Sequence, residues 1–332
     1  AASLFKTGNK HDTGSNSKRA VGICENDSHC NPRASAVNSP MQTEGKERIG
    51  VIGQGIIGSR VADQLREANR QVYVWNRTPK PIPNFLASPG EVVQLSDIVQ
   101  IFVNDGVALL EVIDAIKDQL EKRHVVLANG TFDPASVVEA YEIVKSHGAS
   151  FLDAPFTGSR LAAEKGALVY YVGGDPSVLE RVRPVLEISA KEVLYLGRVG
   201  EATILKIATN MISAVTTGVL AEAYGLVTKA GVDPQRFAQA LEHNACQSGL
   251  TAMKLPQIIA RNYEPHFSLK NMFKDAQYAL NLGKQLGIEA PVLSTTASVM
   301  FLAMQKGLGE KDYSVLASRY QDSAKTPDTD SK

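Results

Sequence analysis

The chain has little cysteine, no excess of either charge and no long uninterrupted apolar run. Three cysteines in 332 residues, Cys24, Cys30 and Cys246, cannot build a disulfide framework. That usage suits a reducing compartment, read here as the cytoplasm. Cys24, His29 and Cys30 are spaced like half of a metal site, but a structural zinc needs four ligands and no second Cys/His pair lies near, so no metal is expected. Thirty-five Lys and Arg balance thirty-five Asp and Glu. A general electrostatic pull toward nucleic acid or an anionic membrane is therefore excluded, and any bound anion must be gripped locally. The most apolar stretch, 202–228, has only Lys206 and Glu222 as charges. Thr203, Thr209, Asn210, Ser213, Thr216 and Thr217 interrupt it, so it reads as a core helix rather than a membrane span.

What is present is ordinary globular composition, 44% hydrophobic and 21% charged, in a chain long enough for two domains. Residues 1–46 are rich in Ser, Asn, Gly, Lys and His and lack apolar periodicity, so they are expected to be disordered. They hold no compact apolar segment of the secretory kind, and Asp12, Glu25 and Asp27 argue against a transit peptide. Met41 is a candidate start, which would make the preceding residues an upstream extension. From Arg48 onward strand-like runs (49–53, 71–75, 98–103, 125–128, 151–154) alternate with helical ones (57–68, 107–120, 134–147). That alternation predicts βαβ units and a mainly parallel sheet. Two further strands are predicted at 168–172 and 193–196. After Gly200 only helical patterns remain, to Tyr320. The expected plan is an α/β Rossmann-like N-terminal domain, 47–200, followed by an all-α domain, 201–321, and a flexible tail, 322–332. A long helix around 201–230 should join the two domains.

Gly53-x-Gly55-x-x-Gly58 lies where the first strand meets the first helix. The first glycine permits a tight turn, the second a close backbone approach to a pyrophosphate, and the third close helix–strand packing. Alone the motif is weak; the strand–turn–helix setting and the spacing to the next strand end are what it requires. Gly53, Gln54, Gly55, Ile56, Ile57 and Gly58 are thus the expected dinucleotide loop, with Val103 after the third strand beside them. The second strand ends in Asn76, Arg77 and Thr78, with Lys80 close behind. An NAD site usually has Asp or Glu there for the ribose 2′-hydroxyl; Arg77 can instead pair with a 2′-phosphate. NADP(H) is the expected cofactor, a solvated basic turn being the bland alternative.

Three later segments add specificity. Asp153-Ala-Pro-Phe-Thr157-Gly158-Ser159 runs on to Glu164-Lys-Gly166. Gly197-x-x-Gly200 precedes Lys206-x-x-x-Asn210, and Phe267-x-Leu269 precedes Lys274-Asp275. Together with the glycine loop, in this order and from about Arg48 to Tyr320, they resemble the β-hydroxyacid dehydrogenase family. That family includes 3-hydroxyisobutyrate dehydrogenase and the glyoxylate/succinic semialdehyde reductases. The resemblance implies that Lys206 is the catalytic lysine and Asn210 its substrate-orienting partner. It places Thr157, Gly158 and Ser159 in the substrate-carboxylate loop and Thr131 near nicotinamide and substrate. Phe267, Lys274 and Asp275 would line the far side of the cleft. It also implies a small carboxylate-bearing substrate and a homodimer or homotetramer.

The chemistry of the residues leads the same way. Reducing a carbonyl requires a proton donor for the developing alkoxide and a clamp for the carboxylate. Lys206 stands in an apolar helical run where desolvation lowers its pKa toward a useful range. Asn210, four residues on, shares its face. The Thr157-Gly158-Ser159 turn offers hydroxyl and backbone N–H donors to an anion. A snorkelling lysine and a structural asparagine are the plain alternatives. Thr157 stands where the family has Ser, and Ser159 points to the glyoxylate/succinic semialdehyde branch. Ala128-Asn129-Gly130-Thr131 departs from the family's Asp-x-Ser-Thr. The expected activity is NADP(H)-dependent interconversion of a short aldehyde- or keto-acid with its hydroxy acid. The alternatives are a 3-hydroxyisobutyrate dehydrogenase, an imine reductase-like enzyme, or a non-catalytic NADP-binding scaffold.

Overall fold

The computed structural model describes residues 47–321. The disorder expected of 1–46 and 322–332, and the Cys24–Cys30 stretch, lie outside the described residues.

The first half alternates strand and helix. β1 (Ile49–Ile52), α1 (Ile56–Glu67), β2 (Val72–Trp75), α2 (Pro89–Leu95), β3 (Ile98–Ile101) and α3 (Gly106–Ile116) lead through a 3-10 turn to β4 (Val125–Ala128). Then come α4 (Pro134–Ser146), β5 (Ser150–Asp153), β6 (Phe156–Thr157), α5 (Arg160–Glu164), β7 (Leu168–Gly174), α6 (Pro176–Leu186) and β8 (Ala190–Tyr195). The strands lie in the order β2-β1-β3-β4-β5-β7-β6, with β8 also on β7. β1 to β5 pair in parallel. All four residues of β1, β3 and β4 are buried, as a parallel sheet covered on both faces demands. Alternate residues feed two cores. Val51, Val125 and Leu127 pack with Val61 and Leu65 of α1 and Leu179 of α6. Ile52, Val126 and Ala128 pack on the other face with helices α2, α3 and α4, including Val92, Ile113 and Val137.

The sheet is mainly parallel, as expected; the exceptions are β5–β7 and β6–β7, which pair antiparallel. The link from β6 to β7 holds only the five-residue α5, and a parallel crossover needs a dozen residues or more. Three short elements escaped the sequence reading: α2, β6 and α5. In α2 the opening Pro-Gly looks like a loop. Pro89 occupies the first helical turn, where no N–H is needed, and Ser88 caps the N–H of Glu91.

The second half is helical: α7 (Glu201–Lys229), α8 (Pro234–Glu242), α9 (Gly249–Ile259), α10 (Leu269–Leu286), α11 (Pro291–Gln305) and a final 3-10 stretch, Tyr313–Tyr320. Its core gathers Ile207, Ala214 and Tyr224 of α7, Ile258, Met272, Ala276, Met300 and Leu316. α7 is long and apolar enough to cross a membrane by length and composition. Here Ala214, Thr217, Ala221 and Tyr224 are buried within the protein. At Gly225 an added Cβ would come within 2.6 Å of the Tyr320 ring, so glycine is what lets the 3-10 stretch lie against α7.

Candidate active site

Strand order turns back at β1, with β2 on one side and β3 on the other. The crevice beyond the carboxyl ends of such strands is where an α/β sheet binds ligands. The loops after β1, β3, β4 and β5 all open onto one cavity of ≈ 490 Å³ there.

The glycine loop shows three separate needs. Gly53 has φ 95°, and a Cβ would sit 2.0 Å from the Phe102 carbonyl oxygen. A Cβ on Gly58 would sit 2.0 Å from the Gly53 oxygen, so helix and turn touch there. At Gly55 a Cβ would meet nothing within 4 Å, and Gly55 lines the cavity with Ile56, Ile57 and Gly58. A backbone cradle left open at the start of a helix fits a pyrophosphate.

The basic turn after β2 is divided in its work. Asn76 Oδ1 accepts from the Gln54 backbone N–H at 2.9 Å, and its Nδ2 donates to the Thr78 carbonyl at 2.8 Å. Lys80 Nζ donates to the Gln54 carbonyl oxygen. Gln54 turns its own amide Nε2 to the Val51 carbonyl. Asn76 and Lys80 therefore brace the glycine loop, and the Thr78 carbonyl holds the Asn76 amide in place. Arg77 is exposed and has no hydrogen-bond or ion-pair partner among the described residues. Gly53, Gln54, Asn76, Arg77, Thr78 and Lys80 lie outside the cavity wall.

Inside the cavity, Val103 follows β3 and Thr131 follows β4. Thr157, Gly158 and Ser159 form the wall after β5, with Gly158 at φ 134°. Among the described residues neither the Thr157 nor the Ser159 side chain makes a hydrogen bond, and Ser159 does not cap α5. Both hydroxyls are open to a ligand.

α7 brings Lys206 and Asn210 to the same cavity. Lys206 is 7% exposed. Its ammonium has no hydrogen-bond or ion-pair partner among the described residues. Burial pushes its pKa down to about 8; the Asp275 carboxylate opposes this and the Lys274 charge adds to it. Asn210 Nδ2 donates to Asp275 Oδ2 at 2.6 Å. Lys274 Nζ stands 2.8 Å from Asp275 Oδ1 but out of line for a hydrogen bond, leaving that buried oxygen without a donor. The same ammonium donates to the Thr131 carbonyl at 2.7 Å and lies 4.6 Å from the Tyr278 ring centre. Lys274 thus ties α10 to the sheet side of the cleft instead of standing free. Phe267 also lines the cavity, edge-on to Tyr313 at 6.2 Å between ring centres.

The sequence reading missed Lys254 and Tyr313 in the wall and Asp312 behind them. Lys254 Nζ donates to Asp312 Oδ1 at 2.7 Å, a fully buried ion pair, and lies 4.4 Å from the Tyr313 ring centre. Asp312 Oδ2 accepts from the backbone N–H groups of His266 and Phe267, fixing the loop that carries Phe267. Nothing local marks these residues, because Lys254 and Asp312 are 58 apart in sequence. His266 enters the wall too, with burial lowering its pKa.

Residues 48–197 match the family of the NAD binding domain of 6-phosphogluconate dehydrogenase. Residues 200–320 match the family described as NAD-binding of NADP-dependent 3-hydroxyisobutyrate dehydrogenase. The chloroplastic glyoxylate/succinic semialdehyde reductase 2 of Arabidopsis thaliana is 30% identical over 82% of this chain and 79% of its own length. The 2-hydroxy-3-oxopropionate reductase of Escherichia coli is 30% identical over 81% and 95%. Among solved structures, the 3-hydroxyisobutyrate dehydrogenase of Mycobacterium tuberculosis with L-serine shares the fold. Its TM-score is 0.76 at 23% identity, covering 84% of this chain and 100% of that one. A glycine loop and a buried lysine on the walls of one cavity, with sequence likeness through both halves, lead to one assignment: the chain belongs to the β-hydroxyacid dehydrogenases and is an oxidoreductase acting on a CH–OH group with a nicotinamide cofactor.

Proposed function

We propose that this enzyme uses NADP(H) to interconvert a short aldehyde- or keto-acid with its hydroxy acid, with Lys206 as general acid in reduction and general base in oxidation. One observation carries the reading: a buried ammonium without a partner lines the cavity that the glycine loop opens into. A pKa near 8 lets that group give or take a proton close to neutrality.

The cofactor, when bound, supplies or accepts the hydride. Gly55 and the start of α1 would hold its pyrophosphate, and Val103 and Thr131, on the same cavity wall, would border its nicotinamide end. Arg77, exposed and without a partner among the described residues, would pair with the 2′-phosphate and set the preference for NADP(H). The Thr157 and Ser159 hydroxyls, with the intervening backbone, grip the substrate carboxylate. Lys206 protonates the carbonyl oxygen as it gains charge. Asn210, held by Asp275, orients that oxygen, and Phe267 closes the apolar side. Lys274 acts through Asp275 and Thr131 by holding the two walls together.

The relatives' names give the substrates to try, glyoxylate, succinic semialdehyde and 2-hydroxy-3-oxopropionate. The reading also includes a cytoplasmic enzyme and a homo-oligomer paired through α7, where Ile212, Val219 and Leu226 are exposed on one stripe. The deciding assay follows consumption of NADPH and of NADH with that panel. Turnover of at least one aldehyde-acid, with NADPH preferred, supports the proposal. No turnover of any, or a preference for NADH, removes the corresponding part.

A further inference from the structure

Asp153, the last residue of β5, is fully buried and has no ion-pair partner among the described residues. A buried carboxylate without a cation is costly unless hydrogen bonds replace its water. All of its donors come from the opening of α7. Oδ2 accepts from the Gly200 N–H at 3.0 Å and the Thr203 N–H at 2.9 Å, and Oδ1 accepts from the Thr203 hydroxyl at 2.6 Å. Burial pushes this carboxyl up to about 6, while the three donors hold it down.

Helix α7 lacks a cap of its own. Its N-cap is Gly200, left-handed at φ 90° and without a side chain. The carboxylate that does this work arrives from the sheet, 47 residues earlier in the chain. It also meets the positive end of the longest described helix. The approach is close: a Cβ on Gly173 of β7 would lie 2.3 Å from the Arg198 carbonyl oxygen. Thr203, Lys206 and Asn210 follow one another at spacings of three and four, so they share a face of α7. Any slide or rotation of α7 that moved Lys206 would break the bonds to Asp153.

We propose that Asp153 is a positioning residue: by capping α7 from the carboxyl end of β5, it fixes where Lys206 stands over the cofactor groove. The proposal rests on the reading of Lys206 as proton donor. Asp153 touches neither substrate nor cofactor; it acts through Thr203 and the backbone of α7.

The test compares Asp153→Asn, Thr203→Val and Thr203→Ser with the wild-type enzyme, once the substrate panel has shown reduction. Displacing a reacting group by about 1 Å costs on the order of 100-fold in rate. Asp153→Asn and Thr203→Val should each lower kcat by roughly 10- to 100-fold. KM and the NADPH dissociation constant should stay nearly unchanged, and Thr203→Ser should restore kcat. A second readout is independent of turnover. Acetylation of Lys206 by acetic anhydride, followed by peptide mass spectrometry across pH, should have its midpoint near 8 in the wild type. In Thr203→Val the midpoint should rise toward the ordinary lysine range as α7 loosens and Lys206 hydrates. Full kcat in Asp153→Asn or Thr203→Val, or a Thr203→Ser enzyme as impaired as Thr203→Val, overturns the proposal. So does an unmoved acetylation midpoint in Thr203→Val. If Asp153→Asn fails to fold, the two threonine variants decide alone. A wild-type enzyme that reduces nothing in the panel counts against the proposed function, whereas an active wild type with indifferent variants counts against Asp153.

Discussion

Asn210 on α7 donates its amide to Asp275 on α10 at 2.6 Å, one helical turn beyond Lys206. The contact joins two helices that line the same cavity as the glycine loop and puts a carboxylate within electrostatic reach of the lysine. Lys274, the neighbour of Asp275, reaches across to Thr131 on the sheet side. Charge balance at Lys206 and closure of the cleft thus depend on the same few residues.

That balance gives a pH prediction with a sign. Lys206 must carry its proton to act as acid, so kcat/KM for reduction should fall as pH rises through about 8. Asp275 favours the protonated form and Lys274 disfavours it. Asp275→Asn should therefore move the falling limb to lower pH, and Lys274→Met should move it to higher pH. Steady-state profiles of the three enzymes check this, and shifts in the same direction would contradict it.

The glycine loop separates folding from binding. Gly53→Ala puts a side chain at positive φ and against the Phe102 oxygen. It should cost about 1–3 kcal/mol of stability, read as a lowered Tm. Gly55→Val points into open space. It should change stability by no more than about 1 kcal/mol. Its NADPH affinity, measured by calorimetry, should nevertheless drop by roughly tenfold or more, a loss of at least about 1.4 kcal/mol. Equal effects of the two substitutions on binding and Tm would argue against the cradle.

Arg77→Ala removes the exposed guanidinium without touching the Asn76, Thr78 and Lys80 contacts that brace the loop. A hydrogen bond to a charged group contributes about 1.5–3 kcal/mol, so NADPH should bind roughly 10- to 100-fold more weakly. NADH binding should hardly change. Titration of both nucleotides tests the assignment, and parallel losses would contradict it.

The legible parts of the chain were those with a short-range signature. β1, β3 and β4 announce themselves as apolar runs, and the glycine motif specifies its own turn. Lys206 was visible because a charge in an apolar helix stands out. Lys254 was not, since its helix reads as ordinary and its partner Asp312 is 58 residues away. Asp153 stands out in the sequence only as part of a motif; its three donors lie at 200 and 203, and no pattern in the chain joins them. The antiparallel join at β7 was missed for a related reason. Burial makes parallel and antiparallel core strands look alike, and only the short α5 link distinguished them.

The exposed stripe on α7 leads to the oligomer prediction. Leu226 is 75% exposed and Ile212 66%, with Val219 between them at 55%. Residues seven apart stay on one side of a helix. Apolar residues exposed in register along one face of a helix can form an interaction site. Ile212→Glu combined with Leu226→Glu should reduce the mass measured by light scattering to that of one chain while circular dichroism stays unchanged. An unaltered mass would rule out pairing through α7.

The proton donor is the centre of the account, and single-turnover reduction by Lys206→Ala tests it most directly. With NADPH and an accepted aldehyde-acid in hand, the rate of the hydride step should fall on the order of 100- to 10,000-fold. Binding of NADPH should persist. A Lys206→Ala enzyme that turns over at close to the wild-type rate would contradict the assignment.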